Sequence, residues 1–322
     1  MRTNGTPDII NDFLIYLENI QGKSPNTVKE YFYDLRTFFR FLKMRRDMVD
    51  ESEDIRSIDI RDIDLSIVKS VQLSDLYAYI SFLSNQMHNN ARSRARKVAS
   101  IRTFFKYLTN KAKLLSVNPA VELESPKVGS RNPVYLSLEE SRELLASVDG
   151  PFKERDYAIL TLFLNCGLRL SELVGINIGD IREDTLRVIG KGNKERTVYL
   201  NEACLNAIEN YLKTRPHDGV KDREALFLSK LKKRISPKTV QHIVKKYISN
   251  AGLDSTKYST HKLRHTAATL MYKYGDIDIR TLQQLLGHEN ISTTQIYTHV
   301  DNDMVRHAVN SNPLSQEVEH DK

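Results

Sequence analysis

Between Glu124 and Pro133 the chain loses its apolar periodicity. The run Glu-Ser-Pro-Lys-Val-Gly-Ser-Arg-Asn-Pro holds two prolines and a glycine and offers no face to bury. Proline fixes φ and removes a backbone donor, so neither a helix nor a central strand runs through such a segment. The 322 residues therefore divide into a domain over 1–125, an extended linker over 126–133 and a second domain over 134–322. At roughly 100–200 residues per domain, each part is long enough for its own core.

The first part reads as helices only. Ile10, Phe13, Leu14 and Leu17 recur at helical spacing, and Ser24-Pro25 is an N-cap followed by proline at the first helical position. Val28, Tyr31, Phe32, Leu35, Phe38, Phe39 and Leu42 then form one stripe. The acidic stretch over 47–64 (Asp47, Asp50, Glu51, Glu53, Asp54, Asp59, Asp62, Asp64) reads as a solvated loop that stays away from any phosphate. A third helix carries Leu73, Leu76, Ile80, Leu83 and Met87. A fourth, over 91–110, has Val98, Ile101, Phe105 and Leu108 on one face and Arg92, Arg96, Arg102 and Lys106 on the other. A charged face is usually only a solvated one when its signs are mixed. Here no Asp or Glu occurs between Asp75 and Glu122, and Lys plus Arg total 48 against 41 Asp plus Glu. That favours a polyanion, nucleic acid first, as the partner of this face.

The second part mixes periods. Ser137 with Glu140 three residues on makes a capping box. Asp184 to Ile189 and Arg196 to Leu200 read as two antiparallel strands joined by Gly190-Lys-Gly-Asn-Lys194, and helical patterns return over 202–213, over 237–251 and from His261 onward. The expected fold is thus mainly α: an all-helical N-terminal domain and an α+β C-terminal domain with a small antiparallel sheet. The polar tail after Asn312 should fray. Two cysteines give no disulfide framework; Cys166 reads as a buried reduced thiol, and Cys204 has no Cys or His near it in sequence to suggest a metal site. The N-terminal residues show no signal-peptide core, and the longest apolar run, Tyr157 to Leu168, is far short of the about 20 residues that span a bilayer. A cytoplasmic protein with no membrane partner is expected.

The chemistry-bearing residues lie in the second part. Gly167 reads as a helix stop, after which Arg169 opens a new turn with Glu172 three residues on. An ordinary ion pair is the simplest account of that segment alone. Lys191 sits at the glycine-flanked hairpin tip; Gly190-Lys-Gly192 lacks the third glycine of a dinucleotide fingerprint and the Gly-Lys-Ser/Thr ending of a phosphate-binding loop. His261-Lys-Leu-Arg264-His265 places His261 and Arg264 on one helix face; His288 follows a helix end and Tyr297 lies early in a short helix. Taken singly, each histidine is most simply a structural hydrogen-bonding group. His261 and His265 have a zinc-compatible spacing, but the HExxH glutamate and any cysteine pair are missing, so no metal is expected. Together the set suits transfer at a phosphodiester. Arg169 and Arg264 would neutralise the non-bridging oxygens, Tyr297 would attack, His261 would accept its proton, and Lys191 would protonate the departing oxygen.

Four motifs in this order, Gly167-Leu-Arg-Leu-Ser-Glu-Leu173, Ile189-Gly-Lys-Gly-Asn-Lys-Glu-Arg196, His261-Lys-Leu-Arg-His265 and Leu285-Leu-Gly-His288 running on to Ile296-Tyr-Thr-His299, resemble the tyrosine recombinases, and most closely those of Xer type. Ser24-Pro-Asn-Thr-Val28 with Tyr31 and Leu35 resembles the family's SAM-like core-binding domain. The resemblance implies a site-specific DNA recombinase that cleaves and rejoins strands through a 3′-phosphotyrosyl intermediate and a Holliday junction, with neither metal nor ATP as cofactor. Xer-like dimer resolution and mobile-element integration or excision both remain open. The implied catalytic residues are Arg169, Lys191, His261, Arg264, His288 and Tyr297, with Glu172 in support. It also implies that the two domains clamp double-stranded DNA with the linker tracking around the duplex. A helix over 301–309 would pack into a neighbouring subunit of a tetramer, built of this chain alone or with a second recombinase, acting at the nucleoid. The helix after Ser236-Pro237 resembles the one that enters the major groove, with Lys238, Gln241, His242 and Lys245 placed to read base edges or to touch phosphates. A non-catalytic DNA clamp would not need Tyr297 and the full basic set. A type IB topoisomerase uses similar chemistry but is at odds with the short two-domain length.

Overall fold

The computed structural model describes residues 5–50, 52–129, 134–190, 192, 194–288 and 290–300. The chain falls into two compact units, Met1–Ser130 and Arg131–Lys322. The predicted helix over 301–309, the tail after Asn312, and Lys191 lie outside the described residues.

The first unit is built from α1 (Asp8–Ile15), α2 (Pro25–Arg45), the short α3 (Leu65–Lys69), α4 (Leu73–Asn85) and α5 (Ala91–Asn110). Ser24 caps α2 through its side-chain oxygen, 3.3 Å from the Thr27 N–H, with Pro25 at the first helical position. The apolar stripes meet in an aromatic centre in which Phe13, Phe38, Phe39, Tyr79, Phe104 and Phe105 are fully buried. Phe13 and Phe104 meet edge-on at 5.3 Å, the arrangement that the ring quadrupoles favour. Within this core lies a fully buried carboxylate, Asp34 on α2. It accepts from Arg96 at 2.6 Å, Lys97 at 2.9 Å and Ser100 at 2.8 Å, all on α5. A buried charge is tolerated only when paired and hydrogen-bonded, so this cluster fixes α2 against α5.

In the acidic stretch the described carboxylates lie toward solvent as expected, but three isoleucines among them do not. Ile58, Ile60 and Ile63 alternate with its acids and are buried. Arg40 donates to the Ile58 carbonyl at 2.8 Å, and the buried Lys43 donates to both Asp62 oxygens and to the Asp59 carbonyl. Asp62 thus pairs with a cation of α2, and the isoleucines anchor the segment to the core.

The second unit contains α6 (Leu138–Ala146), α7 (Lys153–Cys166), α8 (Leu170–Gly175), a three-stranded sheet, α9 (Glu202–Thr214), α10 (Pro237–Asn250), α11 (Thr260–Tyr274) and α12 (Ile279–Leu286). The capping box of Ser137 and Glu140 starts α6. The sheet is antiparallel in the order β1 (Ile181–Arg182), β2 (Thr185–Ile189), β3 (Glu195–Tyr199), with Thr185 opposite Tyr199 and Ile189 opposite Glu195. β1 is two residues long, too short for an alternating pattern to show. Helix α7 is buried on nearly every side, and the core of the unit forms around it. Its last residue Cys166 meets Cys204 in the first turn of α9, Sγ to Sγ 3.6 Å. Cys204 therefore does have a sulfur neighbour, 38 residues away in sequence. Among the described residues no helix is long and apolar enough to cross a membrane.

Replacing Asp34 by Asn should destabilise the first unit by about 3 kcal/mol, because the largely buried Lys97 would lose its counter-charge, while Arg96 keeps Glu30. Urea unfolding followed by circular dichroism measures this. A loss under 1 kcal/mol would show that the carboxylate does not hold α2 to α5.

Candidate active site

Gly167 ends α7 with φ 58° and ψ 36°, the left-handed geometry that glycine adopts without strain. A Cβ there would also lie 3.0 Å from Leu286 Cδ2. The chain turns, and Arg169 becomes the residue before α8. Its backbone N–H donates to Glu172 Oε2 at 2.8 Å and its guanidinium to Glu172 Oε1 at 2.7 Å. Glu172 is 2% exposed and takes a further bond at 2.9 Å from Arg196 on β3, while Arg264 of α11 lies 3.9 Å away. Burial pushes this carboxyl up, but Arg196 and the two donors of Arg169 outweigh it and hold Glu172 below the usual carboxylate range.

The same three arginines close the end of α12. The last carbonyls of a helix have no partner within it and carry the negative end of its dipole. Arg196 donates to Leu285 O at 2.6 Å, Arg264 to Leu286 O at 2.6 Å and Arg169 to Gly287 O at 2.6 Å. Gly287 is left-handed with φ 62°, and a Cβ there would meet Arg196 Cδ at 2.8 Å. The arginines thus fix the turn that presents His288, whose Nδ1 lies 3.0 Å from Thr294 Oγ1.

Three guanidinium groups sharing one carboxylate leave an excess of two positive charges. The neighbouring histidines respond. Burial first, then Arg264 and Arg169, push His288 down to about 4, and burial with the adjacent cations also lowers His261. Both are neutral at pH 7, able to accept a proton or donate a single N–H. Arg264, lowered to about 10 by burial and Arg169, remains charged. A cleft of about 390 Å³ opens beside this cluster, lined by Arg169, Gly190, Lys194, Arg196, His288 and Thr293 among others.

The two predicted phosphate-binding arginines are unequal. The side chain of Arg169 is 30% exposed and lines the cleft, whereas that of Arg264 is 4% exposed and gives its two terminal nitrogens to Gly167 O and Leu286 O. The helix-end carbonyls have first claim on the Arg264 fork. Tyr297 is placed on a 3-10 turn over Gln295–Val300. Its hydroxyl faces His265 Nδ1 at 2.6 Å, not His261 as the sequence suggested. His261 stands one turn earlier on α11 with its ring centroid 4.5 Å from that of His265.

The sequence model of the phage integrase family matches residues 135–304, and that of the phage integrase N-terminal SAM-like domain matches residues 10–112. A tyrosine recombinase XerC from Caldanaerobacter subterraneus subsp. tengcongensis is 64% identical over 311 residues, covering 97% of this chain and 88% of the relative. A tyrosine recombinase XerD from Shewanella oneidensis is 37% identical over 298 residues, covering 91% of this chain and 92% of the relative. The chain belongs to the phage integrase family. It is a Xer-type tyrosine recombinase, an enzyme of site-specific DNA recombination. Its fold is also that of XerH bound to palindromic difH substrate in a post-cleavage complex (TM-score 0.70, 21% identity, 88% of this chain and 79% of that one). The Tn1549 transposon integrase in complex with a circular intermediate DNA shares it too (TM-score 0.70, 17% identity, 94% of this chain and 98% of that one).

The recombinase sets the other predicted site residues as follows. On α5, Arg92, Arg96, Arg102 and Lys106 are exposed, but Arg96 is committed to Asp34 and to Glu30 at 3.0 Å. On α10, Lys238, Gln241, His242 and Lys245 form the exposed face opposite the buried Val240, Ile243, Val244 and Tyr247. Two residues of the centre escaped the sequence reading, Arg196 and His265. Strand alternation offered a signal for the first, since Arg196 shares the inward face of β3 with Val198. His265 was part of the His261-Lys-Leu-Arg-His265 motif and of a zinc-like spacing but was given no role.

Glu172→Gln tests the cluster through pH. The carboxyl of Glu172 is depressed below its ordinary value of 4.5, so its contribution is fully present above that pH and is lost as pH falls through the folded value. The stability gap between the recombinase and Glu172→Gln, about 3 kcal/mol at pH 7, should stay constant down to about pH 5 and shrink below it. Chemical denaturation across pH 3–7, chosen to bracket about one pH unit or more around the carboxylate range, measures the gap. A gap that does not narrow in acid would remove Glu172 from the charge balance.

Proposed function

We propose that Tyr297 attacks the scissile phosphate while Arg169, and the N–H groups that Arg264 keeps beyond its two carbonyls, neutralise the non-bridging oxygens. The attack forms a 3′-phosphotyrosyl bond and frees the 5′ oxygen, which later attacks the phosphotyrosine of the exchanged strand through a Holliday junction. His261, neutral and beside the arginines, takes the phenol proton, and Lys191 gives one to the departing oxygen. His288 supports the Arg264 contact, and Glu172 orients the arginines. The observation that carries this reading is the excess of two positive charges around one buried carboxylate, with Tyr297 on the turn that follows. The pentacovalent phosphate gains its charge in the transition state, where fixed guanidinium groups act most strongly. With the arginines and Lys191 in place of a cation, neither metal nor ATP is required.

The domains, 1–125 and 134–322 with the linker 126–133 between them, are inferred to clamp the duplex. Arg92, Arg102 and Lys106 on one and the exposed face of α10 on the other supply the contacts. Arg96 contributes less because Asp34 and Glu30 already hold it. The working form is a tetramer on two DNA sites, joined through residues 301–309, in the cytoplasm at the nucleoid. Identity to a XerC over 88% of that protein's length favours resolution of chromosome dimers over movement of a mobile element.

On a duplex carrying a nick near the scissile phosphate, Tyr297→Phe should bind DNA and form no covalent adduct. Arg169→Lys, which keeps charge but loses the planar fork, should lower single-turnover cleavage on the order of 10²–10³-fold. EDTA should leave adduct formation intact. An undiminished adduct with Tyr297→Phe would overturn the nucleophile, and loss in EDTA restored by magnesium would overturn the metal-free mechanism.

A further inference from the structure

Tyr297 is 1% exposed, and its ring packs with Ala268, Leu282 and Leu286 in a small core apart from the main one. A duplex phosphate approaches from solvent, and at 1% exposure the phenol is closed off from that approach. The pose is a resting one, and something must specify it. Apolar contact alone fixes a ring loosely, whereas a buried hydroxyl must find a partner or lose free energy. Among the described residues that partner is His265 Nδ1, at 2.6 Å.

The two partners differ in how firmly they are held. His265 projects from α11 between Arg264 and Thr266, both buried, and Ala267, Ala268 and Thr269 behind it are buried as well. Tyr297 sits on a 3-10 segment, Gln295–Val300, that follows another, Ile291–Thr293. Such turns have poorer hydrogen-bond geometry than an α-helix and yield more readily. The helix is therefore the fixed side of the contact, and the tyrosine is the side that leaves.

The contact does not activate the phenol. Burial pushes Tyr297 up to about 12, while burial and the neighbouring His261, Lys262 and Arg264 push His265 down to about 4. The phenol is raised and the imidazole lowered, so the proton stays on the phenol oxygen. With its own proton on Nε2, His265 accepts the phenol's hydrogen bond at Nδ1 without accepting the proton.

We propose that His265 is a positioning residue that holds Tyr297 in a sheltered, non-attacking pose, so that strand cleavage waits on the breaking of this hydrogen bond. The inference rests on Tyr297 being the nucleophile. An unpaired recombinase is thereby kept from nicking DNA, and whatever displaces residues 291–297 on the assembled DNA complex releases the phenol.

Removing the acceptor should speed the first chemical step. His265→Ala, bound to the nicked duplex at saturating protein, should form covalent adduct roughly five- to tenfold faster than the unaltered recombinase, the factor that one such hydrogen bond sets. His265→Gln, whose amide oxygen can accept from the phenol, should bring the rate back toward that of the unaltered enzyme. A merely structural role for His265 would slow both variants. An unchanged or slower rate in a His265→Ala protein that binds DNA would overturn the proposal.

If His265→Ala fails to fold, the free Tyr297→Phe protein reads the same contact from the other side. Amide hydrogen exchange at residues 294–297 should quicken by a similar factor, and unchanged exchange would overturn the proposal. Adduct formed by Tyr297→Phe would instead defeat the nucleophile assignment, and the exchange result would stand apart from it.

Discussion

A single buried carboxylate organises the catalytic unit. Glu172, 2% exposed, could not remain charged in that position without donors on several sides; an unpaired ion there would cost several kcal/mol. Arg169 and Arg196 supply them, and Arg264 adds its field from 3.9 Å. Each comes from a different element, the start of α8, β3 and α11, so one charge fixes the relative positions of all three. The same guanidinium groups then terminate α12 by taking its last two carbonyls and that of Gly287 after it. The geometry of the His288 turn is thus set by the cluster.

That arrangement explains two features that otherwise conflict. A site for a phosphate needs excess positive charge, yet three arginines packed together repel. One carboxylate and three helix-end carbonyls offset enough of that repulsion to keep the cluster folded while leaving two charges for the substrate. Burial first, and neighbouring cations after it, keep the histidines neutral beside the cluster. The turns at Gly167 and Gly287 let the backbone come this close, since a Cβ on either would crowd the cluster or its packing.

Much of this was legible in the sequence. Pattern reasoning placed the helical first unit because its apolar residues follow a helical period, and Ser24-Pro25 and Ser137 with Glu140 mark helix starts by a local mechanism. The exposed face of α10 followed from the same periodicity. What was not legible depends on contacts distant in sequence. The partner of Arg96 is Asp34, 62 residues earlier, and the partner of Tyr297 is His265, 32 residues earlier. The sheet's first strand is too short to alternate. In the acidic stretch the charges outnumber the isoleucines, so the anchoring by Ile58, Ile60 and Ile63 did not show in the pattern. Arg264 was expected to face a phosphate with its whole fork, and nothing in its motif announces that two of its nitrogens are claimed by helix-end carbonyls.

The most direct test of the central claim is a double-mutant cycle between Glu172 and Arg196, using Glu172→Gln, Arg196→Met and the pair, read by denaturant unfolding at pH 7. If the carboxylate and the strand arginine act as one unit, the double variant should be little worse than either single one, with a coupling energy of about 2 kcal/mol. Losses that add to within about 0.5 kcal/mol would mean that Glu172 does not organise the cluster, and the account built on it would fail.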